Sequence, residues 1–205
     1  WTTGLALRGK AWTTPEGAPL SVAILQGAIP QDMKWLVSNQ QNILDEYARL
    51  HAQALGAELI VWPESALPDI ANAYPQYISG VWSAASRKGS AVLMGVMREE
   101  QQDGDAQALY FNSLLALDVG DAEPAFYDKR HLVPFGEYFP VPQWVRNWLR
   151  LMNLPYSDFT PGRAGQGPLK LAGQAVSASI CYEDAYPGQL RAATAASTLL
   201  ATVTN

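Results

Sequence analysis

The chain is short of cysteine, histidine and charge, and each shortage excludes a class of protein. Its 205 residues include one cysteine, Cys181, so it cannot form an internal disulfide. Two histidines, His51 and His131, add too few ligands for a zinc site, and we expect no metal and no other cofactor. The formal net charge is −5 and no basic tract occurs, which argues against a nucleic-acid partner.

Long apolar runs are also missing, although the composition is apolar. Hydrophobic residues make up 48% of the chain and charged residues 16%, whereas soluble domains have about 25% charged residues. No apolar run reaches the roughly 20 residues that a membrane span needs. The low charge indicates apolar surface that meets something other than water. We interpret residues 1–20 as a linker into the domain and the chain as a segment of a longer protein.

Apolar runs alternate with amphipathic stretches along residues 21–205 and predict an α/β fold. Nearly continuous apolar strands that alternate with helices are typical of a sheet covered on both faces. Ser38 is the expected N-cap of the first helix and Gly56 its end, and residues 98–108 are expected to form a polar hairpin turn. The predicted helices are 38–55, 77–88 and 188–196, and the predicted strands are 21–25, 58–62, 91–96, 113–117, 125–127, 175–180 and 198–203.

A proline- and glycine-rich insertion, residues 138–167, breaks this alternation. Its centre has helical spacing, with Arg146 and Arg150 on one face. Such a helix either lies on a membrane surface or caps the domain core, and the pattern does not separate the two. The residues expected to contact lipid in the first case are Trp144, Trp148, Leu149 and Met152.

Three reactive residues each follow a predicted strand. Glu64 comes after strand 58–62, Lys129 after strand 125–127 and Cys181 after strand 175–180. Ligand sites of α/β proteins lie at such strand ends. A carboxylate base, an ammonium group and a thiol together indicate acyl transfer from amides, nitriles or esters.

Each of these residues also has an ordinary structural interpretation. A lone cysteine is most often a small buried apolar residue. Glu64 could be an acid at a helix N-terminus, and Lys129 could be a solvated surface lysine. His131 offers an alternative base in a Cys-His pair, although a histidine beside Arg130 in a loop is more often a surface residue.

The motifs around the three reactive residues resemble the carbon–nitrogen hydrolase (nitrilase) superfamily. They are Trp62-Pro63-Glu64, Lys129 within Tyr-Asp-Lys-Arg-His-Leu-Val-Pro-Phe-Gly-Glu, and Ile180-Cys181-Tyr182-Glu183. Their order and spacing match that superfamily, and the resemblance covers residues from about 20 to 205. It implies an α/β fold of the nitrilase-like αββα sandwich type, with the C-terminal part missing from this chain.

A closer resemblance is to apolipoprotein N-acyltransferase, a family of bacterial membrane enzymes. It rests on residues 26–35, 131–137 and 181–183. It implies a domain on the periplasmic side of the inner membrane, preceded by a membrane segment and held by helices outside this chain. It also implies a phospholipid acyl donor and a diacylglyceryl apolipoprotein acceptor. The alternatives are a soluble amidase or nitrilase with the same Glu-Lys-Cys residues, and a catalytically inactive binding domain.

The same resemblance assigns roles to individual residues. Glu64 becomes the general base, Lys129 the group that stabilises the oxyanion, and Cys181 the nucleophile that carries the acyl group as a thioester. The supporting residues that the resemblance implies are Glu137 and Glu183, as further carboxylates of the site, and Trp35 and Tyr182, as pocket residues.

Overall fold

Two β-sheets packed face to face form the centre of the protein, with helices outside them. The structure is a computed structural model that describes residues 1–12, 14, 15, 17–102, 108–141, 145 and 159–205. The helices are α1 (Thr2–Leu7), α2 (Gln31–Lys34), α3 (Gln40–Ala54), α4 (Pro75–Ser86) and α5 (Pro187–Thr194). The strands are β1 (Val22–Ile24), β2 (Leu59–Val61), β3 (Ala91–Glu100), β4 (Leu109–Leu117), β5 (Ala125–Asp128), β6 (Leu169–Leu171), β7 (Gln174–Ile180) and β8 (Leu199–Val203).

The first sheet has the order β1-β2-β3-β4-β5 and the second the order β6-β7-β8. Strands β1, β2 and β3 are parallel, whereas β3, β4 and β5 form antiparallel pairs. In the second sheet β6 is antiparallel to β7, and β7 is parallel to β8. Parallel neighbours need a crossover connection. Helices α2 and α3, helix α4 and helix α5 supply the crossovers for the three parallel pairs.

Alternation along the central strands directs one set of side chains to the other sheet and one set to the helices. On β2 and β3, Leu59 and Leu93 join the cluster between the sheets, whereas Ile60 and Val92 join the cluster under α3 and α4. Both faces are therefore apolar, and burial of each such side chain is worth about 1.5–3 kcal/mol. This two-sided burial explains why the strands appear in the sequence as continuous apolar runs. The predicted αββα sandwich is confirmed.

Several predicted boundaries are corrected. Ser38 does not cap the first long helix, because a 3₁₀ turn, Val37–Asn39, precedes α3 and places Asn39 at the N-cap. Arg98 belongs to β3 rather than to the hairpin turn, since it pairs with Phe111 of β4. Strand β6 was not predicted. Residues 1–12, expected as linker, include α1, none of whose residues is buried.

Gly95 allows the segment that carries Glu64 to lie against β3. A Cβ atom on residue 95 would meet the carbonyl oxygen of Pro63 and lie 2.6 Å from the Cα of Glu64. The N–H of Ala66 donates to the carbonyl of Gly95 at 2.8 Å, which ties the turn to the strand. Only glycine permits this close approach of two backbones.

We expect Gly95→Ala to lower the free energy of unfolding by about 1–3 kcal/mol, because the added methyl group meets backbone atoms that cannot rotate away. Urea denaturation measures this change in stability. Gly80→Ala in α4 is the matched control, since no atom lies within 4 Å of its added Cβ. The control is expected to be neutral or to stabilise by up to about 1 kcal/mol. Equal stability of the two variants would contradict the prediction.

Candidate active site

Lys129 is the buried centre of a group of charged residues at the end of β5. Its side chain is 1% exposed, and its Nζ lies 3.0 Å from Oε1 of Glu137 and 3.4 Å from Oε1 of Glu64. The Lys129 backbone N–H donates to the carbonyl of Asn112 at 2.8 Å. A buried ammonium is tolerated only when it is paired. The two carboxylates therefore hold Lys129 as a cation inside the protein.

The charge of Lys129 is maintained by a balance of opposing effects. Burial lowers the pKa of the Lys129 ammonium, whereas Glu64, Glu137 and the nearby Cys181 raise it, and the net result is a raised pKa. Lys129 therefore stays protonated throughout the neutral range. A permanent positive charge beside Cys181 suits the stabilisation of an oxyanion.

Asn112, on β4, bridges the two carboxylates and was not identified from the sequence. Its Nδ2 donates to Oε1 of Glu64 at 2.8 Å and to Oε1 of Glu137 at 2.7 Å. Two donors, the Asn112 amide and the Lys129 ammonium, thus share the same two carboxylate oxygens. The signal available in the sequence was one amide side chain within a strand that is mostly apolar and has Tyr110 and Ser113 as its other polar members.

The segment that carries Glu64 is fixed on both sides. Before it, Trp62 is fully buried and its ring stacks on Tyr47 with ring centroids 5.1 Å apart. After it, Ser65 adopts a positive φ of 47°, a conformation that costs a non-glycine residue energy. This anchored turn directs the Glu64 carboxylate to Lys129 and Asn112.

Glu137 is held by its own loop. Its Oε2 accepts the N–H of Val133 at 2.8 Å, and its own N–H donates to the carbonyl of Val133 at 2.9 Å. The N–H of Phe159 donates to the carbonyl of Glu137 at 3.0 Å. The predicted motif from His131 to Glu137 is therefore a folded loop that presents a carboxylate to Lys129.

Cys181 occupies a strained turn at the end of β7. Its φ is 47°, in the left-handed region, and it begins the 3₁₀ turn Cys181–Ala185. The thiol is half-buried. Positive φ at a non-glycine residue is uncommon and clusters at functional sites. The sharp change of direction ends β7 at Ile180 and leaves Cys181 half-buried, packed against the apolar cluster between the sheets.

Glu183 ties this turn to the segment after Lys129. Its side chain is fully buried, and its Oε2 accepts the N–H of Ile180 at 2.9 Å. Its Oε1 accepts the N–H groups of Arg130 at 2.7 Å and His131 at 3.3 Å. The hydroxyl of Tyr127 donates to both oxygens, at 3.1 and 3.0 Å. Glu183 therefore acts on backbone geometry rather than on Lys129 directly.

The thiol itself makes no hydrogen bond to Glu64 or to His131 within the part of the chain that the structure describes. The imidazole of His131 instead stacks on the ring of Tyr186, with centroids 3.7 Å apart. The alternative of a Cys-His pair thus has no geometric support. Proton transfer from Cys181 to Glu64 requires that the two groups approach, or that a water relays the proton, when substrate binds.

The two predicted pocket residues lie at the rim of this group. Trp35 is 45% exposed and lies beside Lys34, whose Nζ is 5.4 Å from the centroid of the Trp35 ring. Tyr182 is 40% exposed and packs edge-on against Tyr186. Both side chains are available to a ligand. The four residues of the predicted lipid-contact helix, Trp144, Trp148, Leu149 and Met152, lie outside the described residues.

The described residues contain no group of three or more acidic, histidine or cysteine side chains arranged to hold a metal ion. Among the same residues, no helix is long and apolar enough to cross a membrane.

Fold and sequence comparisons agree on the family. The family model for carbon-nitrogen hydrolase matches residues 21–204. A carbon-nitrogen hydrolase structure from Helicobacter pylori superposes with a TM-score of 0.53 at 18% identity, and covers 90% of this chain and 59% of that one. The chain belongs to the carbon-nitrogen hydrolase family.

Two curated relatives are more closely similar. Apolipoprotein N-acyltransferase from Chromobacterium violaceum is 41% identical over 206 residues, which is 100% of this chain and 39% of that protein. The protein of the same name from Pseudomonas syringae pv. tomato is 38% identical over 100% of this chain and 40% of its own length. The chain thus spans about two fifths of these relatives. These relatives confirm the predicted resemblance to the apolipoprotein N-acyltransferases.

We expect Asn112→Leu to destabilise the protein by about 1–3 kcal/mol, because two carboxylates in the protein interior each lose a donor. Urea denaturation provides the measurement. Asn42→Leu is the control, since Asn42 is exposed on α3. If Asn112→Leu were as stable as this control, the amide bridge would contribute nothing.

We expect Glu183→Gln to be destabilised by about 1.5–3 kcal/mol, because a carboxamide has only one acceptor oxygen and leaves a buried N–H unpaired. The displaced turn should also change the rate at which iodoacetamide alkylates Cys181. Asp184→Asn makes the same chemical change at the adjacent, exposed carboxylate and should alter neither quantity. Matching results for the two variants would rule out the positioning role of Glu183.

Proposed function

We propose that the full-length protein is an apolipoprotein N-acyltransferase. It moves a fatty acyl chain from a phospholipid, through a thioester on Cys181, to the N-terminal amine of a diacylglyceryl-cysteine apolipoprotein. The observation that carries the chemistry is the buried Lys129 ammonium, paired with Glu64 and Glu137 and close enough to Cys181 to interact with it electrostatically. The choice of substrates rests on the 38–41% identity with relatives of that name.

In the first half-reaction, Glu64 takes the thiol proton as the Cys181 sulfur attacks the ester carbonyl carbon of the phospholipid. The carbonyl electron pair moves to its oxygen, and Lys129 and a backbone N–H of the Cys181 turn stabilise that oxyanion. When the oxyanion collapses, the bond to the glycerol oxygen breaks. The leaving oxygen takes the proton from Glu64, so a lysophospholipid departs and a thioester remains.

In the second half-reaction, the amine of the apolipoprotein attacks the thioester carbonyl. Glu64 accepts a proton from the amine nitrogen, the oxyanion forms again at Lys129, and the carbon–sulfur bond breaks. The Cys181 thiolate then recovers its proton from Glu64, which returns both groups to their starting state. Because thioester to amide is downhill, the main requirement is to keep water away from the thioester.

A cavity of about 450 Å³ next to the Lys129 segment, with polar and apolar surface in similar shares, is a candidate site for the lipid substrate. Rings and aliphatic side chains form most of its lining, with Arg130 as its charged member, and the residues are Arg130, His131, Leu132, Pro134, Tyr138, Phe159, Pro161 and Tyr186. A cavity of this character accommodates an apolar ligand with one polar end. The predicted helix with Trp144, Trp148, Leu149 and Met152 is our candidate for apolar cover over the thioester and for contact with the membrane.

The proposal includes a location. The domain lies on the periplasmic side of the bacterial inner membrane, where both substrates are found, and is held there by membrane helices outside this chain. The division into a linker, residues 1–20, and a catalytic domain, residues 21–205 with an insertion at 138–167, belongs to the same proposal.

The test is formation of an acyl thioester on Cys181 when the full-length protein is mixed with phospholipid vesicles, measured by mass spectrometry of the intact protein. Cys181→Ala should fold normally and form none. Glu64→Gln and Lys129→Ala should each slow thioester formation by about 10²-fold or more, because each removes a group worth a few kcal/mol in the transition state. His131→Ala is the control and should have a much smaller effect. Loss of the thioester in His131→Ala with retention in Glu64→Gln would replace this mechanism with a Cys-His mechanism.

A further inference from the structure

Lys34 is a second buried lysine next to the candidate site, and no role above uses it. It ends the short helix α2, yet it is only 4% exposed. Lysine is almost never buried unless its ammonium is paired. Among the described residues Lys34 makes no ion pair with a carboxylate, and its hydrogen bond goes from Nζ to the backbone carbonyl of Glu64 at 3.4 Å.

The environment of Lys34 is energetically unfavourable for a cation, so the contacts that offset this cost indicate what the residue does. Burial lowers the pKa of the Lys34 ammonium, and attraction to Glu64 only partly offsets this. Desolvation of an ammonium costs several kcal/mol when no full counter-charge is present. The interactions that mainly offset this cost are with Glu64: a hydrogen bond to its backbone carbonyl and attraction to its carboxylate.

The backbone of Glu64 needs such a partner. The residue leaves the sheet after Trp62, and the next residue, Ser65, has a φ of 47°. Gly95 packs against the backbone of this turn, and the Nζ of Lys34 donates to the backbone carbonyl of Glu64. Movement of that carbonyl would rotate the Glu64 side chain away from Lys129 and Asn112.

We infer that Lys34 is a positioning residue that acts through Glu64. Its ammonium binds the backbone carbonyl of Glu64, which fixes the Glu64–Ser65 turn and keeps the Glu64 carboxylate in contact with Lys129 and Asn112. This inference rests on the proposed function only in treating Glu64 as the base. Trp35 follows Lys34 directly, so the same anchor also sets the position of an exposed aromatic side chain at the rim of the site.

A double-mutant cycle tests this inference in the full-length protein, with the rate of thioester formation from phospholipid vesicles as the measurement. Lys34→Met should slow that rate by about 10-fold or more, and Lys34→Arg, which keeps the charge and donors, should recover most of it. In the Glu64→Gln background, Lys34→Met should cause no further loss, because its effect passes through Glu64. A loss of the same size in both backgrounds, or no loss in either, would overturn the inference.

Lys10→Met is the matched control, because Lys10 also lies over a tryptophan ring, that of Trp12, but is exposed. It should leave the rate unchanged. Should Lys34→Met fail to fold, Lys34→Gln keeps a donor without the charge, and its effect in the two backgrounds answers the same question.

A second measurement separates this inference from the proposed function. The rate at which iodoacetamide alkylates Cys181 at one fixed pH requires no lipid and no acyl transfer. Lys34→Met should change that rate when Glu64 is present, should change it much less in the Glu64→Gln background, and Lys10→Met should leave it unchanged. An alkylation rate that Lys34→Met leaves unchanged, or changes equally in both backgrounds, sinks the inference whatever the substrate. Absence of a thioester in the unaltered protein, by contrast, would count against the proposed function alone.

Discussion

The pairing of one buried ammonium with two carboxylates is the constraint on which the rest of the site depends. Lys129 lies between Glu64 and Glu137, and removal of one partner from such a buried pair costs about 3–5 kcal/mol. The turn that carries Glu64 must therefore meet the segment from Lys129 to Glu137 at fixed distances, although Lys129 follows Glu64 by 65 residues. The Asn112 amide joins the same two oxygens. Because the ammonium keeps its charge, a fixed cationic hydrogen-bond donor is in place before any substrate arrives, which is the preorganisation that the proposed acyl transfer needs.

Backbone geometry, rather than side-chain packing, delivers the other reactive groups to this centre. Cys181 is turned out of β7 by a positive φ, and Glu183 holds that turn to the segment after Lys129 through three backbone N–H groups. Gly95 lets the Glu64 turn lie against β3. The sandwich is the rigid support for these turns, since both faces of its central strands are apolar and buried.

The sequence was sufficient to predict most strands of both sheets and the positions of Glu64, Lys129 and Cys181 after strands, because continuous apolar runs mark buried strands. It did not reveal Asn112 or Lys34. Their importance comes from tertiary neighbours: an amide within β4 reaches two carboxylates, and a lysine in a four-residue helix is buried against Glu64. The three-residue strand β6 was not predicted for a related reason, since so short a strand forms only because it pairs with β7. The N-cap at Asn39 depends on a local 3₁₀ turn that propensity does not specify.

The proposed acyltransferase and a hydrolase with the same residues differ in what removes the acyl group from Cys181. The most direct measurement is therefore a chase of the isolated acyl-enzyme, formed by the full-length protein in lipid vesicles, with a diacylglyceryl-cysteine peptide that has a free α-amine. Mass spectrometry follows the enzyme, the peptide and free fatty acid together. The proposed function predicts that the acyl group moves to the peptide amine much faster than to water, with recovery of unmodified Cys181. Release of the acyl group as free fatty acid at a rate independent of the peptide would contradict this and would make the protein a hydrolase.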